Sequence, residues 1–372
     1  MSMIYLPTAD QMDETVDSLS KIAKALGSKV DVSTWENIRK TVKLGLAPEV
    51  LPIGTQLVAS HSKYGDIVFD VVAHDYLKSA KDETARTMTL LTHNAIDEAS
   101  FDSREAFYYA ETGLSAGTYN FTISTAYTSW GQGTYQFTLT KALPIGGQLC
   151  IETQDLTKVT VYSSNTTMTA TESCSITSGN GGTSLGTFGV ELNNIHRVRG
   201  GSNNYKESAI RQFLNSSAEV GAVWAPQTKF DRPPSWVSSK EGFVKGFSGD
   251  FLNSVGEVLV PCSANYHYEA PDSTIKVKDI YTVRDRFYLA SRTEIFGESS
   301  SAVLEDATIF PYYEGATKSD FIKYKSGQAA IWWTRTPSRW EGGSARYINT
   351  FGEDSGGIAM STYNMVVACT IV

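Results

Sequence analysis

The sequence holds 372 residues, of which 41% are hydrophobic and 19% charged, with a formal net charge of −8. That length accommodates two or three domains, and the composition is that of a chain that buries a core. The acidic balance argues against a basic nucleic-acid-binding stripe, and no run of about 18 apolar residues is present to span a membrane as a helix.

The start, Met1 to Pro7, lacks the basic residues and apolar core of a secretory signal, so cytoplasmic synthesis is expected. Residues 8–27 read as a helix, with Thr8 or Asp10 as cap, Val16, Leu19, Ile22, Ala23 and Leu26 at helical spacing, and Gly27 as the stop. A second short helix follows, capped by Ser33 or Thr34, with Trp35, Ile38 and Val42 on one face. This pair has little to bury against nearby, so residues 1–45 are expected to serve oligomerisation (a trimer is favoured) or docking. Plain packing on the next domain is the competing expectation.

Residues 51–76 read as a β-hairpin: Thr55 to Ala59 and Asp66 to Val72 alternate, with Lys63-Tyr64-Gly65 at the turn. Met88 to Thr92 is a further strand. From 105 to about 190 the chain turns rich in Gly, Thr, Ser and Tyr. Gly117-Thr-Tyr-Asn-Phe-Thr-Ile123 and Gly133-Thr-Tyr-Gln-Phe-Thr-Leu139 echo each other and are expected to pair. Val159 to Tyr162 and Met168 to Thr171 continue in that style. The texture predicts a β domain over 105–189, inserted into a domain formed by 46–104 plus 190–372, with the Gly-rich stretch Ser178 to Gly186 as its seam.

Beyond the seam, Ser208 to Leu214 reads as a helix. Gly249 to Val255 and Glu257 to Val260 lead into strands, Asp279 to Ser291 carries a strand, and 298–328 reads as a long loop. The four cysteines, Cys150, Cys174, Cys262 and Cys369, are far apart with no CxxC pair. They are expected to be reduced thiols in or near the core.

The last stretch organises the rest. Ile331-Trp332-Trp333 and Met365 to Val372 are apolar anchors bounded by turn residues, which predicts buried strands. Between them lies a stretch rich in Gly, Ser, Asp, Arg and aromatics, with no helical period. A stiff frame carrying such a surface has the composition of a paratope. An ordinary hairpin with exposed loops has it too. The residues expected to touch a ligand are Ser338, Arg339, Trp340, Glu341, Ser344, Arg346, Tyr347, Asn349, Asp354, Ser355, Tyr363 and Asn364.

Four stretches in the same order resemble one family. They are Leu51-Pro-Ile-Gly through Phe69-Asp-Val-Val72; Lys206 to Phe213-Leu-Asn215; Asp285-x-Phe-x-Leu-x-Ser-x-x-Glu294; and Trp332-Trp-Thr-Arg-Thr-Pro337 followed by a terminal strand. Together they are similar to the target (variable) proteins of diversity-generating retroelements, which are phage or bacterial proteins. The chain departs from that pattern at Val366-Val-Ala-Cys369, where many relatives have Gly-Val-Arg-Pro-Ala. The resemblance implies an α+β fold: a C-type-lectin-like domain of the formylglycine-generating-enzyme type, with a β insertion and a helical N-terminal segment. It implies a virion adhesin or receptor-binding protein whose diversified C-terminal surface meets a host cell-surface protein or glycan, alongside other virion proteins.

Enzymatic signatures are thin. Gly113-Leu-Ser-Ala-Gly117 satisfies G-x-S-x-G, but a strand rather than a helix is expected after it. The five histidines show no metal-ligand spacing, and the Gly-rich seam lacks the Lys-Ser/Thr of a phosphate loop. Cys262 and Cys369 sit in no motif like the copper site of formylglycine-generating enzymes, and the Glu-Pro-Asn or Gln-Pro-Asp signature of calcium-dependent lectins is missing. No cofactor or metal is therefore expected. The primary expectation is a binding protein. The alternative is a structural decoration of a virion, and an enzyme of the formylglycine-generating type comes last.

Overall fold

The computed structural model describes residues 30–125, 132–151, 156–189, 198, 200–264, 279–297, 307–338 and 342–372. The expected helix over 8–27 lies outside the described residues. The fold is α+β: mostly small antiparallel sheets with a few short helices.

The terminal strand Val367–Ile371 is central. All five of its residues are buried, as a strand covered on both faces requires. It lies between Met88–Thr92 and Phe287–Leu289, and the hairpin Gln56–His61/Gly65–His74 completes a five-stranded sheet. The hairpin forms where alternation predicts, with Gly65 at φ +70° in its turn. A second five-stranded sheet runs in the order Asp354–Ile358, Ser344–Ile348, Trp332–Pro337, Thr362–Asn364, Glu98–Ser100. Both sheets thus join strands from before residue 104 to strands from the last ninety residues. One continuous core, from Ile38 to Ile371, fills the space around them.

Residues 108–189 build two four-stranded sheets of their own around a separate core that includes Phe107, Phe121, Phe137, Leu149 and Val159. The echoed segments pair as expected, Gly117↔Leu139 through Ile123↔Gly133. Two expectations here are corrected. The second strand is Glu172–Ser175 and not Met168 to Thr171. The Gly-rich stretch is no seam: Thr183–Gly189 lies parallel to Gly117–Thr125 as a sheet member. Asn120, 92% shielded, holds it down by donating to the carbonyls of Asn180, Gly181 and Gly182. Gly182 is required there, because a Cβ would sit 2.0 Å from the Thr118 carbonyl oxygen.

The helix Trp35–Lys43 forms where expected, and its packing follows the competing expectation, not that of a face with little to bury against. Thr34 caps it by accepting from Asn37 N–H. Its apolar face has much to bury against, since Trp35 packs on Phe251 at 4.6 Å and Ile38 and Val42 belong to the main core. Gly249–Ser254, expected to lead into a strand, is a helix capped by Ser248. The expected long loop over 298–328 contains two single-turn helices, Pro311–Tyr313 and Lys318–Phe321, and the short strand Lys323–Lys325. All four cysteines are buried.

Candidate functional site

The C-terminal sheet is built outward from Trp332–Pro337, buried at all six positions. Each indole N–H finds a carbonyl: Trp332 donates to Phe321 O at 3.2 Å and Trp333 to Ala99 O at 3.0 Å. The strand is irregular between Trp333 and Pro337, and Arg335 enters the core there. Its guanidinium meets Glu294 in a bidentate pair at 2.6 and 2.7 Å and donates also to the Leu289 and Pro261 carbonyls. Glu294 closes the capping box of the helix Arg292–Phe296 with Ser291. Nearby, Arg211 pairs with Asp285 at 2.7 Å. Asn215 accepts from Arg286 and Phe287 N–H and donates to Phe287 O, which pins the start of the Phe287–Leu289 strand.

On this frame sits the hairpin Ser344–Ile348/Asp354–Ile358. Its turn is an Asx turn, with Asn349 Oδ1 accepting from Phe351 and Glu353 N–H. Gly352 takes φ +72°, and a Cβ there would lie 1.8 Å from Lys318 O. Arg346 reaches across the hairpin to Asp354, Nε to Oδ1 at 2.9 Å and Nη2 to Oδ2 at 2.6 Å. Arg292 meets the same carboxylate at 2.5 Å. On the other side of the sheet, Tyr347 and Tyr363 stack 4.7 Å apart over Trp333. Gly357 leaves room for them, since a Cβ would come within 3.0 Å of Tyr347. Burial, with the neighbouring Tyr347 hydroxyl, holds the Tyr363 phenol above its ordinary pKa.

The twelve expected ligand-contacting residues therefore divide. Arg346, Tyr347, Asn349, Asp354, Ser355 and Tyr363 share this sheet and are partly exposed. Arg339, Trp340 and Glu341 lie outside the described residues. The flanking residues form a closed neck: Ser338 N–H donates to Ser344 O at 2.7 Å, and Asn203 Nδ2 donates to Ser344 O at 2.9 Å. That neck corrects the expectation of exposure for Ser338 and Ser344, which are buried. Asn364 is likewise buried, because its side chain donates to Ile331 O while its strand is seated beside Trp332.

Sequence reasoning missed Phe351, 70% exposed at the hairpin tip, and Arg292, which arrives from another element. The Asn349-Thr-Phe-Gly352 turn pattern could have revealed the first. Nothing local in sequence points to the second.

Beside the sheet lies a cleft of about 330 Å³ whose walls include Asp102, Arg104, Tyr162, Arg232, Met360 and Thr362. Burial, then the charges of Asp231 and Glu105, hold the Asp102 carboxyl well above the ordinary carboxylate range. Arg232 lies flat on Tyr162, 3.4 Å from the ring centroid, and donates to Gln148 and to the Ser164 carbonyl. Ser115 of the G-x-S-x-G run is exposed, and the strand Gly117–Thr125 follows it. Among the described residues, no group of three or more His, Cys, Asp and Glu side chains could hold a metal ion, and no helix is long and apolar enough to cross a membrane.

A family model described as a domain of unknown function, DUF6273, matches residues 164–372. No curated protein and no solved structure matches the chain.

Proposed function

The chain belongs to the DUF6273 family, and from that premise we propose that it is a ligand-binding protein that recognises its target through the C-terminal sheet. The carrying observation is the contrast between frame and surface. Trp332–Pro337 and Val367–Ile371 are wholly buried, while Arg346, Tyr347, Ser355, Tyr363 and the tip residue Phe351 hang from them partly or fully exposed. Rigid aromatics and arginine on an immobile support are what an interface uses as anchors.

The proposal extends to the resemblance. The motif residues Asp285, Ser291, Glu294, Arg335 and Asn215 all carry structural bonds. A scaffold held by such buried pairs tolerates change in the residues it displays. On this reading the domain is C-type-lectin-like, and the protein is a variable, diversity-generated adhesin on a phage particle. It is made in the bacterial cytoplasm, and many copies or a trimer present it to a host cell-surface protein or glycan.

A second reading has its own observation. Arg346 is already paired with Asp354, and both tyrosines lean on Trp333. A sheet whose polar residues satisfy one another also suits a structural decoration of a virion.

A host-cell pull-down with the double variant Trp340→Ala, Arg346→Ala of the full chain separates the two. The binding reading expects a loss of about 1,000-fold, in keeping with two hot spots worth about 2 kcal/mol each. Undiminished capture by a variant with unchanged circular dichroism sinks that reading in favour of decoration.

A further inference from the structure

Among the buried ion pairs of the described residues, one is unlike the others. Arg335–Glu294 and Arg211–Asp285 are in contact at 2.6 and 2.7 Å. Lys323 and Asp70 are both buried, at 4% and 1% exposure, yet Nζ stands 3.9 Å from Oδ2. An ammonium has three N–H groups to satisfy. Lys323 has the Thr92 carbonyl at 3.2 Å and, among the described residues, no further hydrogen-bond acceptor. The Asp70 carboxylate is held instead by Gln56 Nε2 at 3.1 Å and His93 Nδ1 at 2.9 Å. Tyr313, whose ring feels the Asp70 charge, is buried, and its hydroxyl has no partner among the described residues. A buried charge left so poorly paired is costly, and condensation of an amine with a carboxyl removes both charges and joins the two groups.

We propose that Lys323 and Asp70 are joined in the folded protein by an amide between Nζ and Cγ, formed by loss of one water. The step balances without oxidant or cofactor. A proton passes from the ammonium to the carboxylate, leaving a neutral amine and a carboxylic acid. Nζ attacks Cγ, and the nitrogen sheds a proton as the Cγ–OH bond breaks. That proton joins the departing hydroxyl, which leaves as water. His93, already on the carboxyl oxygens, carries this last transfer and ends in the state in which it began.

Two features favour the reaction. Burial pushes the Lys323 amine down to about 8, so its neutral form is accessible near neutral pH. The fold also holds both groups on packed elements, which replaces a bimolecular encounter with a positioned one. The bond would tie the first hairpin to the Lys323–Lys325 strand, two elements distant in sequence. It would constrain the unfolded chain as a long-range cross-link does.

Intact-mass measurement on the denatured full chain tests the proposal independently of any ligand. The expected mass is one water below that of the sequence, and digestion should release a branched peptide holding both residues. Lys323→Arg and Asp70→Ala should each return to the full sequence mass, and His93→Ala should show a slowly rising linked fraction. A wild-type chain at full sequence mass overturns the proposal. So does a water loss that survives in Lys323→Arg, since it then arises elsewhere. Should neither variant accumulate, the presence or lack of the branched peptide in the wild type decides.

Discussion

Arg335 and Glu294 show how one buried contact can hold several elements. The arginine spans from the tryptophan strand to the Arg292–Phe296 helix and to the carbonyls of Leu289 and Pro261. Glu294→Ala removes the carboxylate paired with a guanidinium that is 1% exposed, so a loss of about 3–5 kcal/mol is expected in urea unfolding. Trp333→Ala should cost a similar amount, about 3–5 kcal/mol, through cavity formation. Ser355→Ala, on the displayed side, should fall within about 0.5 kcal/mol of wild type. Equal melting losses for Trp333→Ala and Ser355→Ala would contradict the division into frame and surface. Asn364 joins the frame, and Asn364→Ala should cost about 1–2 kcal/mol because the Ile331 carbonyl loses its side-chain donor.

Asp102 gives a pH signature of known sign. Its folded pKa is raised, so the folded chain binds a proton the unfolded chain has released. The stability it contributes is present below the unfolded carboxylate pKa and is lost as pH rises toward the folded value. Asp102→Asn keeps an acceptor for the Ser202 N–H that now donates to Asp102 Oδ2 and deletes the ionisable group. It should raise the melting temperature at pH 7 to 8, and the gain should vanish near pH 4. A gain of equal size at both pH values would show that the carboxylate charge is not the cause.

Among elements, the Trp35–Lys43 helix is the clearest case of a partner supplied from far away. Its apolar face meets the helix Gly249–Ser254, and Ser254 Oγ donates to Trp35 O at 3.0 Å. A chain starting at residue 30 keeps the whole helix and its Thr34 cap and serves as the reference. Truncation at residue 46 strips Ile38 and Val42 from the main core and should cost about 2–4 kcal/mol, on the scale of losing two buried aliphatic side chains. If both truncations melt alike, the helix contributes no core. Any avidity gained from an oligomer, on the order of 10²–10⁴, is therefore best sought with the cut at residue 30 and a trimerising fusion.

At the scale of the molecule, two cores divide the chain in an order that the sequence interleaves. Strands from 56–100 complete sheets made by 287–371, while 108–189 closes its own. Complementary fragments 46–104 and 191–372 should thus associate, detected as co-elution and recovery of strand signal in circular dichroism. The junction is not bare: Gln148 donates to Lys229 O, and Arg104 donates to Ile151 O. The fragment pair should accordingly be less stable than the whole chain. Fragments that fold separately and never co-elute would refute the shared-sheet arrangement.

Local pattern alone determined much of this protein. Alternation placed the first hairpin and the echoed pair, because a strand with one buried face writes a period of two into its sequence, and continuous apolar runs placed the two anchors. Thr34, with Ser33, was legible as a candidate cap because capping is a contact with residues two or three positions on. The tertiary structure alone decided what those patterns meet. The Gly-rich stretch after Ser178 became a strand because Asn120 and the edge at Gly117–Thr125 supplied partners from sixty residues away. Ser338, Ser344 and Asn364 read as surface residues, yet the neck closed by Asn203 and the seat beside Trp332 bury them. Arg292, Asp354 and Arg346 converge from separate elements, as do Asp70, His93 and Lys323. Such meetings depend on how the sheets stack, and no spacing along the chain encodes them.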